Sequence, residues 1–176
     1  MSLPHALLTS LIERPSSGLE LARRFDRSIG YFWHATHQQI YRELARMESA
    51  GWVAADEVPG RGRKRVYRCL EAGRDELLRW AGKPTPATDP RDALLVRLRA
   101  DAATGPLGLG EQIRDRMAHH EAALAAYRVI ETRDFGPGAP STRAARIQHL
   151  ILAAGIVHEE GGLRWCRQAL DTLADP

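Results

Sequence analysis

The stretch FWHATHQQIYRELARMESAGW, residues 32–52, decides the fold. Thr36 followed three residues later by Gln39 has the spacing of a capping box, which predicts a helix start. Beyond it Ile40, Leu44 and Met47 fall at i, i+4 and i+7, a single stripe that a helix must bury. Gly51 is the natural stop, and the mixed segment after it predicts a strand. His37, Gln38, Tyr41 and Arg42 are left near the helix start, off the stripe. Imidazole, amide, phenol and guanidinium groups can donate to and accept from the edges of bases. In isolation an ordinary solvated amphipathic face has the same appearance, so the neighbouring segments must decide.

Upstream, residues 4–12 predict a first helix with Leu7, Leu8, Leu11 and Ile12 on its apolar face. Pro4 is tolerated there because the first turn has no internal acceptor for its missing N–H. RPSSG breaks the pattern, and Ser17 with Glu20 forms a second capping-box spacing. It opens a short helix that carries Leu21, Ala22 and Phe25 inward. Ser28 to Gly30 turns the chain, and Tyr31, Phe32 and Trp33 lead into the decisive helix. Three short helices, the third presenting polar groups at its N-terminal end, match a helix-turn-helix.

Downstream, VAADEV and RVYRCL flank PGRGRK, which predicts a β-hairpin. Its tip carries Arg61, Arg63, Lys64 and Arg65, a wing whose cations are placed for phosphates or the minor groove. A solvated Arg-rich loop is the plain alternative, and the order of helix and hairpin along the chain argues against it. Charge supports the same view. Residues 1–82 hold 13 Lys and Arg against 10 Asp and Glu, whereas residues 83–176 hold 12 against 12. The whole excess of the +3 chain therefore lies in its first half, concentrated at the predicted wing.

LEAGRDELLRWAG, residues 70–82, predicts a fourth helix with Leu77, Leu78, Trp80 and Ala81 apolar. GKPTPATDP follows and marks a linker over 83–90, separating a first domain, 1–82, from a second, 91–176. The second domain begins with a helix opened by Asp89 or Asp92 and carrying Leu94, Leu95 and Leu98. After TGPLGLG a long helix runs through Ile130, with Ile113, Met117, His120, Leu124 and Tyr127 stepping 4, 3, 4 and 3 as a heptad-like seam. A last helix spans about 142–173, with Ile147, Leu150, Ile151, Ala154, Val157, Trp165, Ala169 and Leu173 on a broad apolar face. Faces this long on so short an arm predict a second copy as their partner, a symmetric dimer. Its expected contacts are Ile113, Met117, His120, Leu124, Ile147, Ile151, Trp165 and Leu173. Gly155, Gly161 and Gly162 lie inside that last helix, where each allows close approach or marks a kink.

Other chemistry finds little support. No apolar run reaches the ~20 residues that span a bilayer, and the N-terminus lacks the features of a signal peptide. Cys69 and Cys166 are far apart and read as free thiols of a reducing, cytoplasmic setting, although a disulfide between them stays open. His119, His120, His149, His158, Glu159 and Glu160 match no metal-ligand spacing, so no metal is expected. His120, on the seam, reads instead as a hydrogen-bonded interface histidine. There is no nucleophile elbow, no phosphate loop and no dinucleotide fingerprint, so neither an enzyme nor a cofactor is expected. Trp80, Tyr127 and Trp165 read as packing residues or as the lining of a pocket for an aromatic effector.

Four blocks in order resemble the PadR family of transcriptional regulators. SSGLELARRFDRSIGYFWHATHQQIYRELARMESAGWV is similar to the family's winged helix, and RKRVYRCLEAGRDELLRW to its second wing strand and linking helix. HHEAALAAYRVIE and AAGIVHEEGGLRWCRQAL resemble the two principal helices of its longer C-terminal dimerisation domain. The resemblance implies a homodimeric repressor that binds double-stranded DNA and is relieved by a small aromatic or hydrophobic ligand, and the two-fold symmetry of such a dimer predicts an inverted-repeat operator. By position it puts Gln38, Gln39, Tyr41 and Arg42 on the recognition helix and Arg63 and Lys64 at the wing tip. Thr36, His37, Arg61 and Arg65 complete the expected DNA surface from the residue reading. The chain departs from the family at His34, where proline is frequent, at Glu71, where a capping threonine is usual, and at Gly161 and Gly162. The expected protein is thus mostly α: a winged helix-turn-helix with a small β-hairpin, followed by an all-α dimerisation domain. A helical protein–protein adaptor, its winged helix not reading DNA, is the rival reading.

Overall fold

A computed structural model describes residues 3–26, 35–58, 64–84 and 92–174, and backbone only at Val58 and Lys64. The chain divides into two compact units, residues 1–87 and 88–176.

The first unit runs α1 (Leu3–Glu13), β1 (Ser16–Ser17), α2 (Gly18–Asp26), α3 (His37–Ser49), β2 (Val53–Val58), β3 (Lys64–Cys69) and α4 (Glu71–Ala81). Each of the first three helices turns its apolar stripe to one core. Leu7, Leu8 and Leu11 meet Leu21, Ala22 and Phe25, and then Ile40, Leu44 and Met47, all essentially inaccessible to water. Val53 and Tyr67 close the core from the hairpin. Both predicted capping boxes form. Gln39 N donates to Thr36 Oγ1 at 3.2 Å while Thr36 N donates to Gln39 Oε1 at 2.8 Å. Ser17 N donates to Glu20 Oε2 at 3.0 Å, and Glu20 N to Ser17 Oγ at 3.4 Å. Gly51 follows the α3 C-cap with φ +70°, a left-handed conformation that glycine adopts without strain.

The sheet holds one more strand than the hairpin alone predicts. Its order is β1-β3-β2, all antiparallel, with Ser16 opposite Tyr67 and Val53 opposite Cys69. Two residues without a hydrophobic pattern carry no strand signal; they pair because the core brings the α1–α2 connection beside β3. Gly73 of α4 packs so closely on the turn after α3 that an added Cβ would lie 2.3 Å from the Trp52 carbonyl. The α4 N-cap is Leu70, which makes no side-chain cap; Glu71 is the first residue of the helix, so the capping position falls at Leu70 and not at Glu71 as expected.

The second unit contains α5 (Ala93–Thr104), α6 (Gly110–Phe135) and α7 (Arg143–Ala174). Asp92 is the N-cap of α5, its carboxylate accepting from Leu94 N at 2.9 Å. Within the chain, α7 packs on the α6 seam. Ile113 is fully buried with Leu94 and Cys166, and Met117, Trp165 and Leu173 pack on that cluster. His120 Nδ1 meets Glu159 Oε2 at 2.5 Å, so the seam histidine is hydrogen-bonded, but within the chain. Leu124 is half-buried on the same helix. Heptad spacing specifies that a helix has a partner, not whether the partner lies on another chain.

The glycines of α7 resolve in the same way. The helix is continuous from 143 to 174, and two of the three glycines are close-approach points. A Cβ on Gly155 would lie 2.9 Å from the Tyr127 ring, and one on Gly162 2.5 Å from the His120 ring. A Cβ on Gly161 would meet nothing within 4 Å. Cys69 and Cys166 are both free. Among the described residues no helix is long and apolar enough to cross a membrane.

Candidate nucleic-acid interface

With Ile40, Leu44 and Met47 turned inward, α3 presents Gln38, Tyr41 and Arg42 to solvent from its first two turns. Gln38 and Arg42 make no hydrogen bond or ion pair with the described residues. Among the described residues, their amide and guanidinium are therefore available without breaking a hydrogen bond or ion pair. Tyr41 is 45% exposed, its ring edge resting on Gly18 at the start of α2.

The other recognition-helix candidates have structural duties. Thr36 and Gln39 bond each other in the capping box, which occupies the Thr36 hydroxyl and the Gln39 carbonyl oxygen. His37 Nε2 lies 2.9 Å from Asp26 Oδ2, joining the start of α3 to the end of α2. These contacts aim the helix, while Gln38, Tyr41 and Arg42 form its open surface. On the hairpin, the Arg65 guanidinium lies 2.6 Å from Glu48 Oε1 and stands over the Tyr67 ring, tying β3 to the end of α3. The pair is exposed, so its worth to stability is ~0–1 kcal/mol and a competing phosphate can displace the carboxylate. Lys64 begins β3 opposite Val58. Arg61, Arg63, His34, the turn at 28–30 and the aromatic run 31–33 lie outside the described residues.

The effector candidates fall in both units. Trp80 belongs to the first unit and stacks on His5 at 4.4 Å, with His5 Nε2 bonded to Glu76 Oε1 at 3.1 Å. Tyr127, in the second unit, is buried against Gly155. Trp165 lines a cavity of about 840 Å³ between α6 and α7. Arg116, His119, His120 and His158 also border it. Arg116 is held there by Asp92, at 2.5 and 2.9 Å, and this guanidinium lowers the Asp92 pKa to about 2. Among the described residues no cluster of His, Cys, Asp and Glu has the arrangement of a metal site. Residue reasoning missed the Gly18 support of Tyr41, the Asp26 anchor of His37 and the Glu48 anchor of Arg65. Each joins side chains that only the folded chain brings together.

Comparison with known proteins places this geometry. Residues 7–79 match the transcriptional regulator PadR-like family, and residues 90–174 match the family described as virulence activator alpha C-term. A probable transcriptional regulator of Mycobacterium tuberculosis, Rv1176c, is 43% identical across 99% of both chains. The virulence activator AphA of Vibrio cholerae superposes with a TM-score of 0.82 at 30% identity, covering 98% of each chain. Bacillus subtilis PadR in complex with operator DNA shares the fold at a TM-score of 0.80 and 20% identity, covering 98% of this chain and 99% of that one. It has also been solved with p-coumaric acid. The chain belongs to the PadR-like family: it is a DNA-binding transcriptional regulator, not an enzyme.

Proposed function

We propose that the protein is a homodimeric repressor that binds an inverted-repeat operator and is released by a small aromatic or hydrophobic effector. The observation that carries the DNA reading is the open face of α3, where Gln38, Tyr41 and Arg42 project from a helix start pinned by its own capping box. Amide and guanidinium groups pair with adenine and guanine edges, while Arg61, Arg63, Lys64 and Arg65 supply cations to the flanking phosphates.

A dimer is supported by the apolar surface that remains on α7 once α6 is covered. Ile147, Leu150, Ile151 and Val157 are 40, 69, 46 and 67% exposed. Leu150, Ala154, Val157 and Gly161 step by 4, 3 and 4, a seam that suits a second helix. Its two-fold axis makes half-sites about one helical turn (~10 bp), or a multiple, apart. Repression asks least of such a molecule, since occupying promoter DNA excludes polymerase without a further contact surface. The cavity beside Trp165 offers an aromatic face and imidazoles to an effector, and B. subtilis PadR is known with p-coumaric acid. Release requires the effector to favour the protomer arrangement that fits DNA less well.

Selection from a random duplex pool tests the core of this reading. A palindrome is the expected recovery; recovery of no sequence, with a monomer in sedimentation, would overturn it and favour a protein adaptor.

A further inference from the structure

Gly18 is the first residue of α2, and α2 is a short helix whose start is already secured by Ser17 and Glu20. Nothing in that local structure asks for glycine. Its φ is not left-handed, so an L-residue is conformationally acceptable there. Glycine is also among the poorest helix formers, and alanine is favoured over it within a helix. The reason lies across the fold. A Cβ on Gly18 would sit 2.4 Å from Tyr41 Cε1, 3.1 Å from Cδ1 and 3.2 Å from Cζ. No other atom is among its three nearest neighbours; the obstruction is one edge of one ring.

That ring belongs to the outward face of α3 and is 45% exposed, so it can swing into water when pushed. Gly18 is buried, and the three atoms nearest that Cβ all belong to the Tyr41 ring rather than to the core residues Leu21, Ala22, Phe25, Ile40, Leu44 and Met47. A side chain at position 18 would therefore meet the Tyr41 ring first and move the phenol. We propose that Gly18 is a positioning residue for DNA recognition: its bare Cα seats the Tyr41 ring and fixes where the phenol stands beside Gln38 and Arg42. The inference rests on α3 being the DNA-reading helix.

The test uses the full-length protein and the duplex that the wild type selects from a random pool, with an unrelated duplex as comparison. Gly18→Ala should keep or raise the melting temperature, because alanine suits a helix better. It should nevertheless weaken binding to the selected duplex by about five- to a hundred-fold, the scale of one good base contact, and weaken the unrelated duplex far less. Tyr41→Ala should cause a similar loss. The decisive comparison is Gly18→Ala in the Tyr41→Ala background, where it should have no further effect. Equal affinity and selectivity for Gly18→Ala and wild type would overturn the inference, as would additive losses in the double variant. A Gly18→Ala protein that melts well below the wild type would show a core role instead and also overturn it. Failure of the wild type to select any duplex is a separate result: it removes the DNA reading, and this inference with it.

Discussion

Gln38 has no hydrogen-bond partner among the described residues, which makes it the simplest residue to examine. Gln38→Ala should reduce discrimination between the preferred duplex and its single-base variants by roughly 1–3 kcal/mol at one position. Fold and melting temperature should stay unchanged. Competition binding against a panel of variant duplexes reads this directly, and an unchanged preference at every position would exclude a base contact. Asp92 is a residue of the opposite kind, committed to the fold. It accepts from Leu94 N and pairs with Arg116, and its carboxyl is held near pKa 2 against an ordinary value of 3.8. A depressed folded-state pKa contributes stability that is present above pH 3.8 and is lost as pH falls towards 2. Denaturant unfolding of the full chain across that window should show Asp92→Asn with a shallower acid loss than the wild type. Parallel acid profiles for the two would show that the Asp92 charge does not contribute.

At the scale of elements, adjacent glycines of α7 should respond with opposite signs. Gly162→Ala gains up to ~1 kcal/mol in helix propensity but drives a Cβ to within 2.5 Å of the His120 ring. That ring is half-buried and held by Glu159, so it has little room to yield, and the variant should be destabilised by ~1–3 kcal/mol. Gly161→Ala meets open space and should not destabilise the α6–α7 pair. Thermal unfolding of the two variants side by side distinguishes them, and equal melting temperatures would mean that α6 and α7 do not approach as closely as described. The pattern extends to Gly155 against Tyr127. Such glycines set the distance between helices rather than bending one.

At the scale of the whole molecule, the proposed function makes affinity for DNA depend on two features far apart in sequence. Arg63→Ala with Lys64→Ala should weaken every duplex similarly and flatten the slope of log K against log salt by ~1.8, at ~0.9 per phosphate contact. An unchanged slope would take the wing off the backbone. Leu150→Asp with Val157→Asp places charges on the exposed seam of α7 and should yield monomers that bind a palindrome weakly but still bind a half-site. Sedimentation at micromolar protein concentration checks the first outcome and binding to full and half duplexes the second.

Much of this protein is legible along the chain because its signals are local. A capping box needs only a spacing of three, so Thr36 with Gln39 and Ser17 with Glu20 announced α3 and α2 before any tertiary contact. The stripe of Ile40, Leu44 and Met47 likewise told which face of α3 is buried and, by subtraction, which is open. The rest depends on what each side chain meets. Ser16 and Ser17 became a strand only because β3 lay alongside, and the seam of Ile113 and His120 met Cys166 and Glu159 of α7. Gly18 and Gly162 took their meaning from rings 23 and 42 residues away in sequence, at Tyr41 and His120. Spacing along a helix states that a face must be covered or left bare; the identity of the covering group is a distance between remote residues, and only folding sets it.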